Sequence, residues 1–350
     1  MTEAPRLLIA SQYDATGSST RVRAYDWLDH LDVTGYERFE YRGTGSNSPA
    51  ALARDPRGTI RAERSIRALA ERAKDRPVLL SRELSPLGSG RSEAAVLRAA
   101  SVGVYDFDDA LYTAIPGSLI SRIHTRRTLW RRSVEAADVV FAGSEILAEH
   151  AQRHSSRVQL MPSVVEPTQY TRKQDYALGK TPVAVWIGSP GTEPYLRHSA
   201  EGLLAAHRET GLRLRVISRG NATLGDIDAI VDRVDWTPDG FAAALADADL
   251  GIMPLPDDEW TRGKCAYKLL QYGASALPVI GSAVGTNITA LQRLGGEQAG
   301  GSASWRDALI DMVRASPADR AAAGAAAHAG VVRHYSFEAW APVWRAAVLA

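Results

Sequence analysis

Short apolar runs recur along the chain, each separated from the next by a stretch with helical spacing. The runs are RLLIA (6–10), PVLLS (77–81), VGVYD (102–106), DVVFA (138–142) and RVQLM (157–161), and then PVAVWI (182–187), LRLRVI (212–217), DLGIM (249–253) and PVIGS (278–282). Runs this short suit strands buried on both faces. Between them, segment 59–74 places Ala62, Ile66, Leu69, Ala70 and Ala73 on one helix face. Such β-α alternation predicts an α/β fold, with a parallel sheet covered by helices on both faces. Residues 166–181, EPTQYTRKQDYALGKT, are polar and without period, which reads as an interdomain linker. The alternation then restarts, so two doubly wound domains facing a cleft are expected. The 350 residues agree with two domains at roughly 100 to 200 residues each.

Composition narrows the function classes. A formal net charge of +1 gives no global attraction to nucleic acid, and none is expected as a partner. The single cysteine, Cys265, excludes an internal disulfide and a Cys-based zinc cluster. The opening MTEAPRLLIA holds only a four-residue apolar run, and no apolar run approaches a membrane span, so a cytoplasmic protein is expected.

Of 41 basic residues only five are lysine, and two of those, Lys264 and Lys268, stand four apart in TRGKCAYKLLQYG (261–273). Read as a helix over 263–273, this stretch aligns Lys264, Lys268 and Gln271 in one stripe, opposite Ala266, Leu269, Leu270 and Gly273. Two like charges at that spacing repel by roughly 0.2–0.5 kcal/mol, which a bound anion would relieve. Arg262 and Gly263 would sit where a helix offers free N–H groups to an anion. MPLPDDEW (253–260) precedes them as a Pro-broken loop at a strand end, where open α/β sheets bind ligands. The stretch therefore suits a phosphate or diphosphate, and a solvated basic helix face is the competing reading. Cys265 reads as a packing residue, because no His or Asp partner is near in sequence.

The segment ADADLGIMPLPDDEWTRGKCAYKLLQYGASALPVIGSAVG (246–285) resembles the donor-binding segment of the GT-B glycosyltransferases of family 4 type. ADVVFAGSEILAEHA (137–151), VQLMPSVVEPTQY (158–170) and HYSFEAWAPVW (334–344) resemble three further family segments, while residues 1–136 match loosely. The resemblance implies two Rossmann-like domains. They would be an acceptor-side domain over 1–170 and a nucleotide-sugar domain over 171–334, with a C-terminal helix over 335–350 packing back on the first. It implies transfer of a sugar from a nucleotide-diphosphate sugar, with retention, to a small-molecule, glycan or lipid-linked acceptor. No metal and no separate cofactor are implied. Lys268 matches the family's lysine near the donor phosphates, and Gln271 the second acid of its E-x7-E motif. The first acid falls at Gly263, so both acidic positions are changed in this chain. The family's Arg–Lys pair after the first strand of the second domain is also replaced, by WIGSPGTEPYL (186–196). Phosphate binding is then expected from Arg262, Lys264 and Lys268, as the groups facing charge that grows on the leaving diphosphate.

Other residues complete the expected site. Ser189, Gly191 and Thr192 stand next to a strand end and are expected to touch the donor. Trp236, in VDRVDWTPDGF, would wall the base pocket or sit in the core. On the acceptor side, Gly17, Ser18 and Ser19 open a helix after the first strand, where a glycine-rich turn can hold a phosphate or sugar. Asp106 and Asp108 form a D-x-D in YDFDDAL, and Asp108 or Asp109 could orient an acceptor hydroxyl or cap a helix. Arg82 and Glu83 read as a salt-bridged pair. SRIHTRRTLWRR (121–132) could meet an anionic membrane, but a solvated Arg-rich face is the plainer reading. Two competitors remain at this stage: a partner protein that keeps the fold without turnover, and a nicotinamide oxidoreductase. The latter would need G-x-G-x-x-G after an early strand, and ATGSSTR lacks it.

Overall fold

The computed structural model describes residues 7–42, 47–113 and 126–349. The chain divides into two compact units. One runs to Ser163 and takes up the chain again from Trp340, and the other spans Val164–Ala339.

The first unit is a six-stranded parallel sheet. Its strands are β1 (Leu8–Ser11), β2 (Glu37–Glu40), β3 (Pro77–Ser81), β4 (Val102–Phe107), β5 (Val139–Ala142) and β6 (Val158–Leu160), in the order β2-β1-β3-β4-β5-β6. Around it lie α1 (Ser18–Thr20), a π-turn at Arg21–Tyr25, α2 (Asp26–His30), α3 (Pro49–Arg54), α4 (Pro56–Ala73), α5 (Arg91–Ala99), α6 (Arg126–Ala136) and α7 (Glu145–Gln152). The longest of them, α4, starts where the Asp55 carboxylate accepts from the Gly58 N–H and Pro56 occupies the first helical position. It buries Ala62, Ile66, Leu69 and Ala73, so its apolar stripe is the expected one, with Ala70 at the half-buried margin. Burying Ile66 and Leu69 stabilises by roughly 1.5–3 kcal/mol each.

The second unit repeats the plan with β7 (Val183–Ile187), β8 (Arg213–Ser218), β9 (Val231–Asp235), β10 (Leu250–Met253), β11 (Val279–Ser282) and β12 (Glu297–Ala299), in the order β12-β11-β10-β7-β8-β9, all parallel. Its helices are α8 (Ala200–Thr210), α9 (Phe241–Ala246), α10 (Glu259–Arg262), α11 (Tyr267–Ala274), α12 (Thr286–Leu294), α13 (Ser302–Arg314) and α14 (Pro317–Tyr335), followed by the terminal α15 (Phe337–Val348).

The expected domain boundary and the expected linker both change. The second unit begins at Val164, not at 171, and segment 166–181 is not a loose linker. The Lys173 N–H donates to the Ser275 carbonyl (2.9 Å), the Tyr176 hydroxyl to the Ala276 carbonyl (2.7 Å), and Lys173 pairs with Asp249 (3.5 Å). The segment lacks a period because its bonds go to the second unit one by one, not through a ladder. At the other end, Pro342 lies inside α15. Trp344, fully buried, stacks on Trp27 with centroids 5.6 Å apart and planes 10° apart, which anchors the end of the chain in the first unit.

Candidate functional site

In the second unit the stretch 263–273 is not one helix. Asp258 caps α10: its carboxylate accepts from the Thr261 N–H (2.8 Å), and the Thr261 hydroxyl side closes the box against the Asp258 N–H (3.2 Å). That helix stops at Arg262. Ala266 then adopts a left-handed conformation (φ 53°), and α11 begins at Tyr267. Lys264 therefore lies in the connecting turn and Lys268 in the first turn of α11. The like-charge spacing inferred from a continuous helix does not exist, and Arg262 and Gly263 do not precede α11 as expected.

Both lysines rest on indole rings. The Lys268 ammonium lies 5.2 Å from the centroid of Trp186, a fully buried residue of β7. The Lys268 stem passes close to Gly188, where a Cβ would come within 2.9 Å of its Cε. That fixes Lys268 at the carboxyl end of β7, the end at which open α/β sheets bind ligands. The Lys264 ammonium lies 4.7 Å from the centroid of Trp260. A cation over an aromatic face keeps its full charge while its position is restrained. Arg262 behaves differently. Its guanidinium grips the exposed Asp257 through two bonds (2.6 and 3.1 Å), which raises the arginine pKa and lowers that of the aspartate. A phosphate at Arg262 would have to compete with a carboxylate already seated on it.

Gly263 is buried with φ −83°, so the freedom of glycine is not needed there. It is needed at Gly285, which has φ 53° and would place a Cβ 2.3 Å from the Arg262 carbonyl oxygen. The start of α12 is thereby packed on the end of α10. Asn287 donates to the Met253 carbonyl (3.3 Å), and the Leu255 N–H donates to Ser282 (2.9 Å), so the loop after β10 is tied down. Tyr272 completes the frame. Its buried hydroxyl accepts from the Ile187 N–H (3.1 Å) and donates to the Ile252 carbonyl (3.0 Å), joining β7 to β10, and burial pushes its pKa up. Gly251 makes room for this ring, since a Cβ there would lie 2.3 Å from it. Sequence reasoning did not find Trp186, Trp260, Tyr272, Gly285 or Asn287. Trp260 after three acids and Gly285 before a helix are the signals it had.

Gln271 is 9% exposed and donates to the Tyr170 hydroxyl (3.4 Å). Tyr170 packs edge-on against Phe241, and Phe241 stacks on Trp236 (6.0 Å). Gln271 and Trp236 are thus linked through two rings, and the Arg219 guanidinium lies 5.0 Å from the Trp236 centroid. Ser189, Gly191 and Thr192 follow β7 in a turn closed by the Thr192 N–H on the Ser189 carbonyl (2.9 Å), with Ser189 and Gly191 exposed.

In the first unit the predicted residues Ser19, Asp108 and Asp109 are brought together by Arg82. Its guanidinium donates to Ser19 (3.0 Å) and pairs with Asp109 (2.9 Å) and Asp108 (3.5 Å). Arg82 holds φ 63°, uncommon for a residue other than glycine, directly after β3. Burial works against its charge, yet Asp109, Asp108 and Glu83 carry its pKa upward. Glu83 pairs not with Arg82 but with Arg126 (3.2 Å). Gly17 and Ser18 lie in the same turn as Ser19. Asp106, the first acid of the D-x-D, is consumed: Arg23 binds both of its carboxylate oxygens (2.5–3.2 Å), each side chain 1% exposed. Of the basic segment 121–132, residues 121–125 lie outside the described residues. From Arg126 the helix α6 buries Leu129, Trp130, Ser133 and Val134.

No protein-family model matches the chain, and no curated protein matches its sequence. Solved structures do match its fold. WaaG, a glycosyltransferase involved in lipopolysaccharide biosynthesis, superposes with TM-score 0.67 at 13% identity, covering 98% of this chain and 100% of WaaG. The UDP-forming α,α-trehalose-phosphate synthase of Burkholderia vietnamiensis gives 0.68 at 14% identity, over 100% and 98%. S. aureus TarM, solved with UDP, gives 0.59 at 10% identity over 81% of this chain, which spans 58% of the length of TarM. The chain has the GT-B fold: two parallel six-stranded sheets, each flanked by helices. Among the described residues no helix is long and apolar enough to cross a membrane.

Proposed function

We propose that this chain is a glycosyltransferase that takes a sugar from a nucleotide-diphosphate sugar and moves it, with retention, to an acceptor hydroxyl. The observation that carries this reading is the placement of Lys268. Its ammonium is steered by Trp186 and Gly188 to the carboxyl end of β7, one turn ahead of Gln271. Lys264, on Trp260, supplies a second cation from the turn before α11. The diphosphate would sit on these two ammonium groups and the first N–H groups of α11. As the bond from the anomeric carbon to the diphosphate oxygen breaks, negative charge grows where the lysines already stand. Preorganised charge of this kind stabilises the transition state without reorganisation. The acceptor oxygen forms the new bond to the anomeric carbon, and its proton leaves with the diphosphate. Gln271 and Trp236 would face ribose and base, with a neutral amide where a related chain carries an acid. Ser189, Gly191 and Thr192 would line the donor from β7, and Ser19, Asp108 and Asp109 would face the acceptor. The shared fold with WaaG and the trehalose-phosphate synthases supports the reading.

Thermal shift against a ligand panel tests it. UDP, GDP or dTDP should raise the melting temperature of the second unit, NAD should not, and one nucleotide sugar of a panel should be hydrolysed slowly without acceptor. A chain stabilised by NAD alone would be a nicotinamide protein, and one indifferent to every ligand would be a scaffold without turnover.

A further inference from the structure

We infer that the outward face of α4 is a docking surface for an anionic phospholipid membrane. At about 100° per residue, Arg57, Ile60, Arg61, Arg64 and Arg67 fall within an arc of roughly 120°, opposite the buried Ala62, Ile66, Leu69 and Ala73. All five are exposed. Arg54, at the end of α3, is exposed beside them. Most arginines elsewhere in the first unit meet an acid: Arg72 and Arg76 hold Glu37, Arg42 holds Asp55, and Arg82 holds Asp109. Arg54, Arg57, Arg61, Arg64 and Arg67 form no ion pair or side-chain hydrogen bond among the described residues. The only carboxylate exposed on this face of α4 is Glu71. In a chain of net charge +1, this is a concentrated positive patch.

Charge complementarity asks for a polyanion, and two apolar side chains select a lipid surface. Ile60 is 52% exposed and Leu87 55%. Leu87 lies in a turn tied to α4: its N–H donates to Ser85 (2.9 Å), and the Ser85 hydroxyl donates to Glu63 (2.5 Å), one helical turn from Ile60. Single-stranded nucleic acid would ask for stacking rings, and the exposed residues of α4 include no aromatic and no amide. The apolar stripe of α4 is spent on its own sheet. The contact is therefore electrostatic docking with two shallow apolar fingers, not insertion of the helix. It does not depend on the glycosyltransferase reading, because nucleotide binding belongs to the second unit.

Sedimentation of the full chain with vesicles tests this. It should pellet with phosphatidylcholine–phosphatidylglycerol vesicles, stay in solution with pure phosphatidylcholine, and be released by salt. Arg57→Gln, Arg61→Gln and Arg64→Gln combined should lower partitioning on the order of a hundredfold, at about fivefold per arginine. Ile60→Ser should lower it less, and Arg61→Lys with Arg64→Lys should preserve it. The melting temperature should change little throughout, since these exposed side chains form no ion pair or side-chain hydrogen bond among the described residues. Sedimentation with neither vesicle, equal pelleting of the parent and the triple variant, or capture by an RNA homopolymer that anionic vesicles fail to displace would each overturn the inference.

Discussion

The two sheets carry charged residues at the same end of their strands and hold them in opposite ways. In the first unit, acids answer bases: Arg23 with Asp106, Arg82 with Asp108 and Asp109, Arg126 with Glu83. In the second, Lys268 lies over Trp186 and Lys264 over Trp260, while Lys173, Arg233 and the exposed Arg262 meet Asp249, Glu193 and Asp257. An ion pair cancels its own field, whereas an indole orients a cation and leaves the field in place. The first arrangement suits a neutral polyhydroxy ligand that exchanges hydrogen bonds. The second suits a diphosphate.

The comparison breaks first at its most buried point. Arg23→Ala leaves Asp106 charged and alone, and should lower the stability of the first unit by about 3–5 kcal/mol, whereas Arg23→Met with Asp106→Leu should recover much of that. Calorimetry would show it as a shift of one transition only. A loss below about 1 kcal/mol for the single variant would mean that the pair is not structural. Gly285→Ala comes next, with an unfavourable φ and a clash against the Arg262 backbone; together these should cost the second unit roughly 1–3 kcal/mol and leave the first untouched. Denaturation followed by proteolysis of each unit separates the outcomes. Trp186→Leu is a smaller change in function: loss of the ring face should weaken nucleoside-diphosphate binding about two- to fivefold, on a cation–π value of roughly 0.5–1 kcal/mol. Unchanged affinity, with the fold intact, would show that the ring is core packing only. The smallest effect concerns pH. Arg72 and Arg76 hold the Glu37 carboxyl below its ordinary value. That stabilisation is fully present above the ordinary Glu range and disappears as pH falls through the depressed value. Glu37→Gln should therefore lower stability slightly at neutral pH, leave it unchanged below the depressed value, and so flatten the acid limb of the stability profile, as denaturant melts across pH would show.

How far the sequence could be read depends on burial. Interior strands such as β3 and β10 are apolar runs because both of their faces are covered. β2, β9 and β12 escaped, and all three are sheet edges. Their sequences, ERFE, VDRVD and EQA, are half-exposed and charged, as edges that resist pairing with other chains must be. The stripe of α4 was legible for the opposite reason, a single helix with one wet face. At the candidate site, spacing put Lys268 and Gln271 on one helix face, and the structure keeps both on α11, but the continuous helix was wrong. One alanine in a left-handed conformation splits it, and alanine gives no sign of that in a sequence. The pairing of Arg262 was not legible because its partner, Asp257, lies in a loop whose path no periodicity reveals. Arg82 was seen as half of a local pair, while its true partners come from another strand end twenty-six residues on. Trp186 looked like any strand residue until Lys268 was found above it.

The most direct measurement is calorimetric titration of a nucleoside diphosphate and its parent nucleoside, UDP against uridine or the matching pair for the base preferred, into the parent chain and into Lys268→Ala. Loss of one charge-assisted contact should weaken diphosphate binding about ten- to a hundredfold and leave nucleoside binding unchanged. Equal losses for both ligands, or none for either, would contradict a diphosphate seat on Lys268.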